Sequence, residues 1–186
     1  MTHLPSPPRP LLLLAAGVAL TAIVLAPSRA AAQIPHEGQA AIGIGGGAAF
    51  PFQSGFSTGF DVGAEFDYYL FSKQAGLRGT MAYTSSGTDL PQNPSRSTGY
   101  LLASAFYEFT RGNVVPYALG GFGFYVVDPP YGSRTLRVGG HAGAGVAFYF
   151  RRRIALTGEV LVHGLASVDG FSSSFVTTNA AIRYYF

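Results

Sequence analysis

The sequence has no cysteine and unusually few charged residues. Only 11% of its 186 residues are Asp, Glu, Lys or Arg, whereas charged residues make up about a quarter of a typical soluble domain. The absence of cysteine excludes a disulfide framework, a thiolate metal site and a cysteine nucleophile. Glycine and aromatic residues are abundant instead, with 25 Gly, 15 Phe and 11 Tyr. This composition excludes a disordered chain and an ordinary globular surface, and it favours a lipid-facing protein.

The N-terminal segment has the three-part layout of a secretory signal. Residues 11–26 form an apolar stretch, and the small residues Ala30 and Ala32 follow it. We expect cleavage after Ala32, or alternatively after Ala30, so that 1–32 is the signal peptide and 33–186 the mature domain. An uncleaved N-terminal anchor is the alternative, but the apolar stretch falls short of the roughly 20 residues that a spanning helix needs.

The expected mature chain is almost neutral. The 12 basic residues include Arg9 and Arg29, so 10 remain against 9 acidic ones after cleavage. The only basic cluster is 151–153, three arginines in a predicted turn, and no basic stripe is present. We therefore expect no nucleic-acid partner.

Beyond the signal, no apolar run is long enough for a spanning helix, and the residues alternate instead. Within 58–70, apolar side chains take one parity and Asp61, Glu65 and Asp67 take the other, which is the period of a strand. Eight such segments, each long enough to cross a bilayer at a tilt, are predicted at about Ala40–Phe50, Thr58–Leu70, Gly76–Ser85, Thr98–Phe109, Val115–Val126, Val138–Phe150, Ile154–Gly164 and Ser174–Phe186.

The connections between these segments alternate in length. The first, third, fifth and seventh are longer than the second, fourth and sixth. Short periplasmic turns and longer external loops are typical of an outer-membrane barrel. The sequence therefore predicts an all-β fold, an eight-stranded antiparallel up-and-down transmembrane β-barrel.

A soluble eight-stranded barrel of the lipocalin type is the alternative fold, with its apolar parity facing inward. The predicted outward parity is free of charge, however, as in Leu101, Ala103, Ala105 and Tyr107. Aromatic residues also gather at strand ends, as the two interfaces of a bilayer favour. They are Phe66, Tyr68, Tyr107, Phe109, Phe148, Phe150, Tyr184 and Phe186 near the short turns, and Phe50, Phe60, Tyr83 and Tyr125 near the long loops. Whether Phe122 and Phe124 face the lumen or the lipid depends on whether the preceding turn has an even or an odd number of residues, and the sequence leaves both possibilities open.

The inward parity collects most of the polar and charged side chains. They are Asp61, Glu65, Asp67, Arg78, Thr80, Glu108, His141, Glu159, His163, Asn179 and Arg183. A symmetric turn at 71–74 places Arg78 opposite Asp67, and a turn centred on Arg152 places His141 opposite His163. Opposite side chains in an antiparallel pair lie close enough to touch.

Three interpretations of this polar lumen differ in function. The first is a structural ion-pair network, because such a barrel is just wide enough for its own side chains and buried charges must be neutralised. The second is a proton or ion path along the same groups. The third is a metal site at His141 and His163, which has only two converging nitrogens and no evident third ligand. We favour the first and expect no metal.

The signal, the eight amphipathic strands and the C-terminal 181–186 segment, Ala-Ile-Arg-Tyr-Tyr-Phe, resemble the small outer-membrane barrels of the OmpA membrane domain and OmpX type. The resemblance covers essentially the whole mature chain and is architectural. It implies export through the periplasm to the outer membrane of a Gram-negative envelope, and a monomer among outer-membrane lipid and lipopolysaccharide. The terminal Ile182, Tyr184 and Phe186 are similar to the signal that the barrel-assembly machinery recognises.

Some barrels of this kind modify lipid A, and the deacylase type carries a His-x-Ser pair with a Glu that orients the His. Neither His141 nor His163 is followed by serine at that spacing, and no Gly-x-Ser-x-Gly is present. Gly43-x-Gly45-x-x-Ala48 mimics a dinucleotide fingerprint but leads into Phe-Pro-Phe instead of a helix, so close strand packing explains its glycines better. We expect no enzyme and no cofactor. The expected role is structural or interactive, and a narrow, OmpW-like, porin-like conduit for small apolar molecules or ions is the alternative.

Overall fold

The computed structural model describes residues 37–53, 55–88, 95–129, 133–166 and 174–186. The expected signal peptide and its cleavage site lie outside these ranges. Eight strands are present, within a few residues of the eight predicted segments. They are β1 (Ala40–Pro51), β2 (Gly59–Tyr68), β3 (Ala75–Ser86), β4 (Arg96–Glu108), β5 (Val114–Asp128), β6 (Thr135–Arg151), β7 (Ile154–Leu165) and β8 (Phe175–Tyr185).

Each strand pairs antiparallel with the next along the chain, and β1 also pairs with β8, so the sheet closes into a barrel. The predicted eight-stranded antiparallel up-and-down barrel is confirmed. The connections 69–74, 109–113 and 152–153 lie at one end, here called the short-turn end. The other four connections lie at the opposite end, here called the loop end. Among the described residues, no helix has the length and apolar character needed to cross a membrane.

Alternation along the strands separates an apolar outer face from a polar lumen. In β4, Leu101, Ala103 and Ala105 are exposed, whereas Ser104 and Glu108 are buried. A soluble barrel of the lipocalin type would show the reverse, with polar side chains outside. The large apolar side chains on the outer face include Ile44, Val62, Met81, Leu136, Val138, Leu156 and Ile182.

The fifth strand corrects one member of the predicted aromatic girdles. Tyr125 is fully buried in the lumen, whereas Phe122 and Phe124 are 67% and 53% exposed on the outer face. The register pairs Glu108 with Tyr117, and the stretch between them has an even number of residues. The inward parity therefore changes from even numbers in β4 to odd numbers in β5, and the placement of Tyr125 in a girdle was wrong.

The glycines of β1 permit close approach of the neighbouring strand. A Cβ at Gly45 would lie 2.4 Å from the carbonyl oxygen of Ala180, and one at Gly47 would lie 1.7 Å from that of Thr178. The segment continues as a strand to Pro51. Strand packing, and not a nucleotide-binding turn, is the role that this geometry gives to these glycines.

Candidate functional site in the barrel lumen

The centre of the lumen holds an ion-pair cluster, defined here as Glu65, Asp67, Arg78, Glu159 and Arg183. Arg78 donates from Nε and Nη2 to the two carboxylate oxygens of Asp67 at 2.6 and 3.0 Å. Its Nη1 donates to Glu159 at 2.6 Å and lies 3.4 Å from a Glu65 oxygen. The barrel register places Arg78 opposite Asp67, the pairing that the symmetric turn predicts, and this juxtaposition permits the bidentate contact.

Arg183 on β8 completes the cluster. It donates from Nε and Nη2 to the carboxylate of Glu65, and its Nη1 lies 3.5 Å from Asp67 Oδ2. Tyr117 on β5 joins the two sides of the lumen, because its hydroxyl accepts from Arg183 at 3.2 Å and donates to Glu159 at 2.8 Å. Its ring also lies 5.3 and 5.2 Å from the guanidinium carbons of Arg78 and Arg183, within reach of cation–π attraction.

The ion-pair cluster is deeply buried. The side chains of Arg78 and Arg183 are 1% and 2% exposed, and that of Asp67 is 1% exposed. Removing such charges from water costs several kcal/mol for each ion unless partners compensate for it, and here each guanidinium contacts all three carboxylates. The charges of the cluster, which come from β2, β3, β7 and β8, therefore neutralise one another together.

A second polar layer lies between the ion-pair cluster and the short-turn end. Glu108 accepts from the hydroxyls of Tyr69 and Tyr149 at 2.8 and 3.1 Å. The hydroxyls of Tyr149 and Tyr185 lie 3.0 Å apart. Two buried tyrosines thus bind one carboxyl group, and the third is linked to it through Tyr149, so the polar atoms of this aromatic layer are satisfied.

A small cavity lies on the loop side of the ion-pair cluster. It has a volume of about 40 Å³ and is lined by Asp61, Glu65, Glu159 and Asn179 among others. Tyr100 donates to Asp61 at 2.5 Å, while the side-chain oxygen of Asn179 is buried with no hydrogen-bond partner among the described residues. Polar groups form part of the cavity lining, and the cavity has room for a few water molecules.

The two histidines face each other in the predicted register. His141 lies opposite His163, and their rings are stacked with centroids 6.1 Å apart. Both nitrogens of His163 already have protein partners, because Nδ1 lies 3.1 Å from the hydroxyl of Tyr125 and Nε2 lies 3.2 Å from that of Thr177. A metal ion bound by either nitrogen would have to displace the partner of that nitrogen. Within the described ranges, no group of three His, Cys, Asp or Glu side chains has metal-binding geometry.

His141 also contacts a serine that is absent from the sequence predictions. Its Nε2 lies 2.7 Å from Ser104 Oγ. Gly121 separates the two residues in the register, and since it has no side chain, the lumen is open between them. Nδ1 of His141 is buried without a hydrogen-bond partner among the described residues, so no carboxylate orients this ring as the triad arrangement requires.

The predicted lumen residues thus separate into layers along the barrel. Glu65, Asp67, Arg78, Glu159 and Arg183 come together in one cluster, whereas Glu108 lies towards the short turns. Asp61, His141, His163 and Asn179 lie towards the loop end. The buried tyrosines that serve these groups, Tyr69, Tyr100, Tyr117, Tyr125 and Tyr149, were not predicted. The inward parity of Tyr100 in β4 was the available signal, because it matches that of Glu108.

The three residues of the predicted assembly signal lie outside the lumen. Ile182, Tyr184 and Phe186 are exposed on the outer face, at the short-turn end of β8. Tyr184 and Phe186 thereby extend the aromatic girdle that also contains Phe109 and Phe150.

No family model and no curated protein matches this chain. Several solved structures share its fold. Neisserial surface protein A superposes with a TM-score of 0.62 at 21% identity, over 81% of this chain and 100% of that chain. Ail, the attachment invasion locus protein of Yersinia pestis, gives 0.57 at 18% identity, over 81% and 99%. The outer membrane enzyme PagL gives 0.51 at 15% identity, over 77% and 98%.

These likenesses show the fold alone. The three proteins are a surface protein, an attachment protein and an enzyme, so one barrel architecture accommodates different tasks. The fold is that of the small outer-membrane β-barrels, and the task of this chain has to be argued from its own side chains.

Proposed function

We propose that this protein is an integral outer-membrane barrel with a structural or interaction role. The observation that carries the proposal is the combination of an apolar outer face with a lumen filled at its centre by the ion-pair cluster and Tyr117. Lipid selects apolar side chains on the outside of a barrel. A lumen crossed by mutually neutralising charges stabilises the closed form without leaving a continuous water path.

The proposed orientation follows from the two ends of the barrel. The short-turn end faces the periplasm, and the longer connections face the cell exterior, as in other outer-membrane barrels. Surface loops on that side are the proposed contact with lipopolysaccharide or an external ligand. The barrel-assembly machinery is the proposed partner of Ile182, Tyr184 and Phe186 during export, and the folded protein is proposed to be a monomer.

A conduit is the second candidate, and the cavity beside Asp61 and Asn179 favours it. The cavity has room for a few water molecules only. Passage of an ion or a small apolar molecule would require Arg78 to leave Glu159, which it contacts at 2.6 Å, and Arg183 to leave Asp67, which it contacts at 3.5 Å. The closed form is therefore the proposed resting state.

We also propose that the Ser104–His141 contact is structural and that the protein is not an enzyme. Both side chains are buried, at 3% and 5% exposure. The layer of Tyr100, Tyr125 and Phe175 lies close to the ring of His163. A lipid substrate would have to enter the lumen through this aromatic layer.

The test is single-channel recording of the refolded protein in planar bilayers. The filled lumen predicts no sustained conductance for the parent chain. It also predicts none for Arg134→Ala, a control that removes an exposed arginine at the loop end. A stable, large conductance in the parent would overturn the structural proposal and favour the conduit. Release of fatty acid from purified lipid A by the folded protein, abolished in Ser104→Ala, would overturn the non-enzymatic assignment.

A further inference from the structure

The short-turn end of the barrel carries a dense set of exposed basic residues, here called the basic rim. The first turn, 69–74, has Lys73, and the second turn, 109–113, has Arg111. The third, with the last residue of β6, contains three consecutive arginines at 151–153. All five side chains are exposed. Of the residues described at this end, the only one with an acidic side chain on the surface is Glu37.

The basic rim is continuous because the three turns adjoin one another. The backbone N–H of Glu108 donates to the carbonyl of Gln74 at 2.7 Å and joins the first turn to the second. The N–H of Tyr149 donates to the carbonyl of Asn113 at 2.7 Å and joins the second turn to the third. The positive charges therefore follow one another around most of this end.

One guanidinium of the basic rim is held against the outer face. Nη1 of Arg153 lies 3.3 Å from the hydroxyl oxygen of Tyr184, and the Tyr184 ring is exposed on the outer face beside β7. Tyrosine side chains at this position of a membrane barrel lie at headgroup level. The guanidinium is thus placed where the phosphates of a lipid leaflet lie, and its planar donors suit bidentate binding of phosphate.

From this placement we propose that the basic rim binds the headgroups of net-anionic phospholipids in the periplasm-facing leaflet. The inference rests on the proposed function, which puts the short turns in that leaflet. Basic residues next to a membrane segment attract anionic lipid through the surface potential, and the attraction falls off within a Debye length. The rim arginines, and Arg153 above all, retain such lipids beside the aromatic girdle of Phe150, Tyr184 and Phe186.

Native mass spectrometry of the folded barrel tests this proposal. The protein is refolded into bilayers of phosphatidylethanolamine with a minority of phosphatidylglycerol, extracted, and examined for the lipids that it retains. The parent chain is expected to retain phosphatidylglycerol about fivefold above its bulk share, the ratio expected from one basic residue at an anionic surface. The triple variant Arg151→Gln, Arg152→Gln, Arg153→Gln is expected to lose most of this enrichment, as is the parent at high salt.

The matched control is Arg134→Gln, which removes an exposed arginine at the opposite end and is expected to keep the enrichment. Equal enrichment in the parent and the triple variant would overturn the proposal. So would equal retention of the two lipids by the parent. A heat-dependent gel shift reports folding separately. A chain that never folds into bilayers contradicts the proposed function, whereas a folded chain without enrichment contradicts only this inference.

Discussion

Replacing Arg78 with methionine is expected to destabilise the barrel more than any single exchange on its outer face. The substitution keeps much of the side-chain volume and removes the charge. It takes from Asp67 a bidentate partner at 2.6 and 3.0 Å and from Glu159 a donor at 2.6 Å. Asp67 is then left with Arg183 at 3.5 Å as its remaining cationic contact within the ion-pair cluster.

The expected cost follows from the burial of these groups. Removal of one partner from a buried ion pair costs about 3 to 5 kcal/mol because it leaves an uncompensated charge. Arg78 has two strongly bonded carboxylates and not one, so the upper part of that range applies. A second exchange, Asp67→Asn, removes only one of the two stranded carboxylates, so it is expected to restore part of the loss. The pair should therefore show a coupling energy of about 1 to 3 kcal/mol.

The measurement is equilibrium unfolding in urea with the protein folded into phospholipid vesicles. The control is Arg134→Met, because Arg134 and its partner Asp128 have side chains that are 69% and 43% exposed. An exposed pair of this kind contributes at most about 1 kcal/mol. A cost for Arg78→Met no larger than that of the control would refute the argument. Additive effects of Arg78→Met and Asp67→Asn would show that the two residues are not energetic partners.

Three further predictions concern packing, processing and assembly. Gly47→Ala is expected to destabilise the barrel by about 1 to 3 kcal/mol, because its Cβ would lie 1.7 Å from the carbonyl oxygen of Thr178; Gly79→Ala, which meets nothing within 4 Å, is the urea-unfolding control. The intact mass of the membrane form is expected to match a chain that begins at Gln33, and a mass that matches the full chain would contradict the predicted cleavage. The unboiled protein should migrate differently on gels from the boiled protein, since a closed barrel resists unfolding by detergent. Deletion of Phe186 should lower outer-membrane levels in cells and leave refolding in detergent nearly intact, whereas equal loss in both assays would show that its role is stability.

The sequence predicted the strands and two lumen pairs because a period of two and short turns determine local geometry. A symmetric turn between β2 and β3 is enough to place Arg78 opposite Asp67. The same reasoning placed His141 opposite His163. These contacts lie between neighbouring strands, so parity and turn length are sufficient to identify them.

Contacts across the lumen could not be predicted from parity and turn length. The hydrogen bonds from Arg78 to Glu159 and from Arg183 to Tyr117 join strands that are not neighbours. They depend on the closure and stagger of the whole barrel, which no single turn determines. Tyr125 shows a second difficulty, since tyrosine suits both a membrane interface and a buried site with a hydrogen-bond partner. Its residue type fits either face, and only the parity of the preceding turn decides between them.

The small net charge of the expected mature chain conceals a difference between a nearly balanced lumen and a basic short-turn end. Among the described residues, the lumen contains five carboxyl side chains, those of Asp61, Glu65, Asp67, Glu108 and Glu159, and four guanidiniums, those of Arg78, Arg96, Arg137 and Arg183. Five further basic residues are on the basic rim. Acidic groups that bind tyrosine and arginine can be enclosed because each has hydrogen-bond donors close by. Basic groups at the rim are exposed, so their charge costs little, and the proposed anionic headgroups would lie beside them. The position of each charge along the axis, which the total charge does not record, is what distinguishes a stabilising group from a binding one.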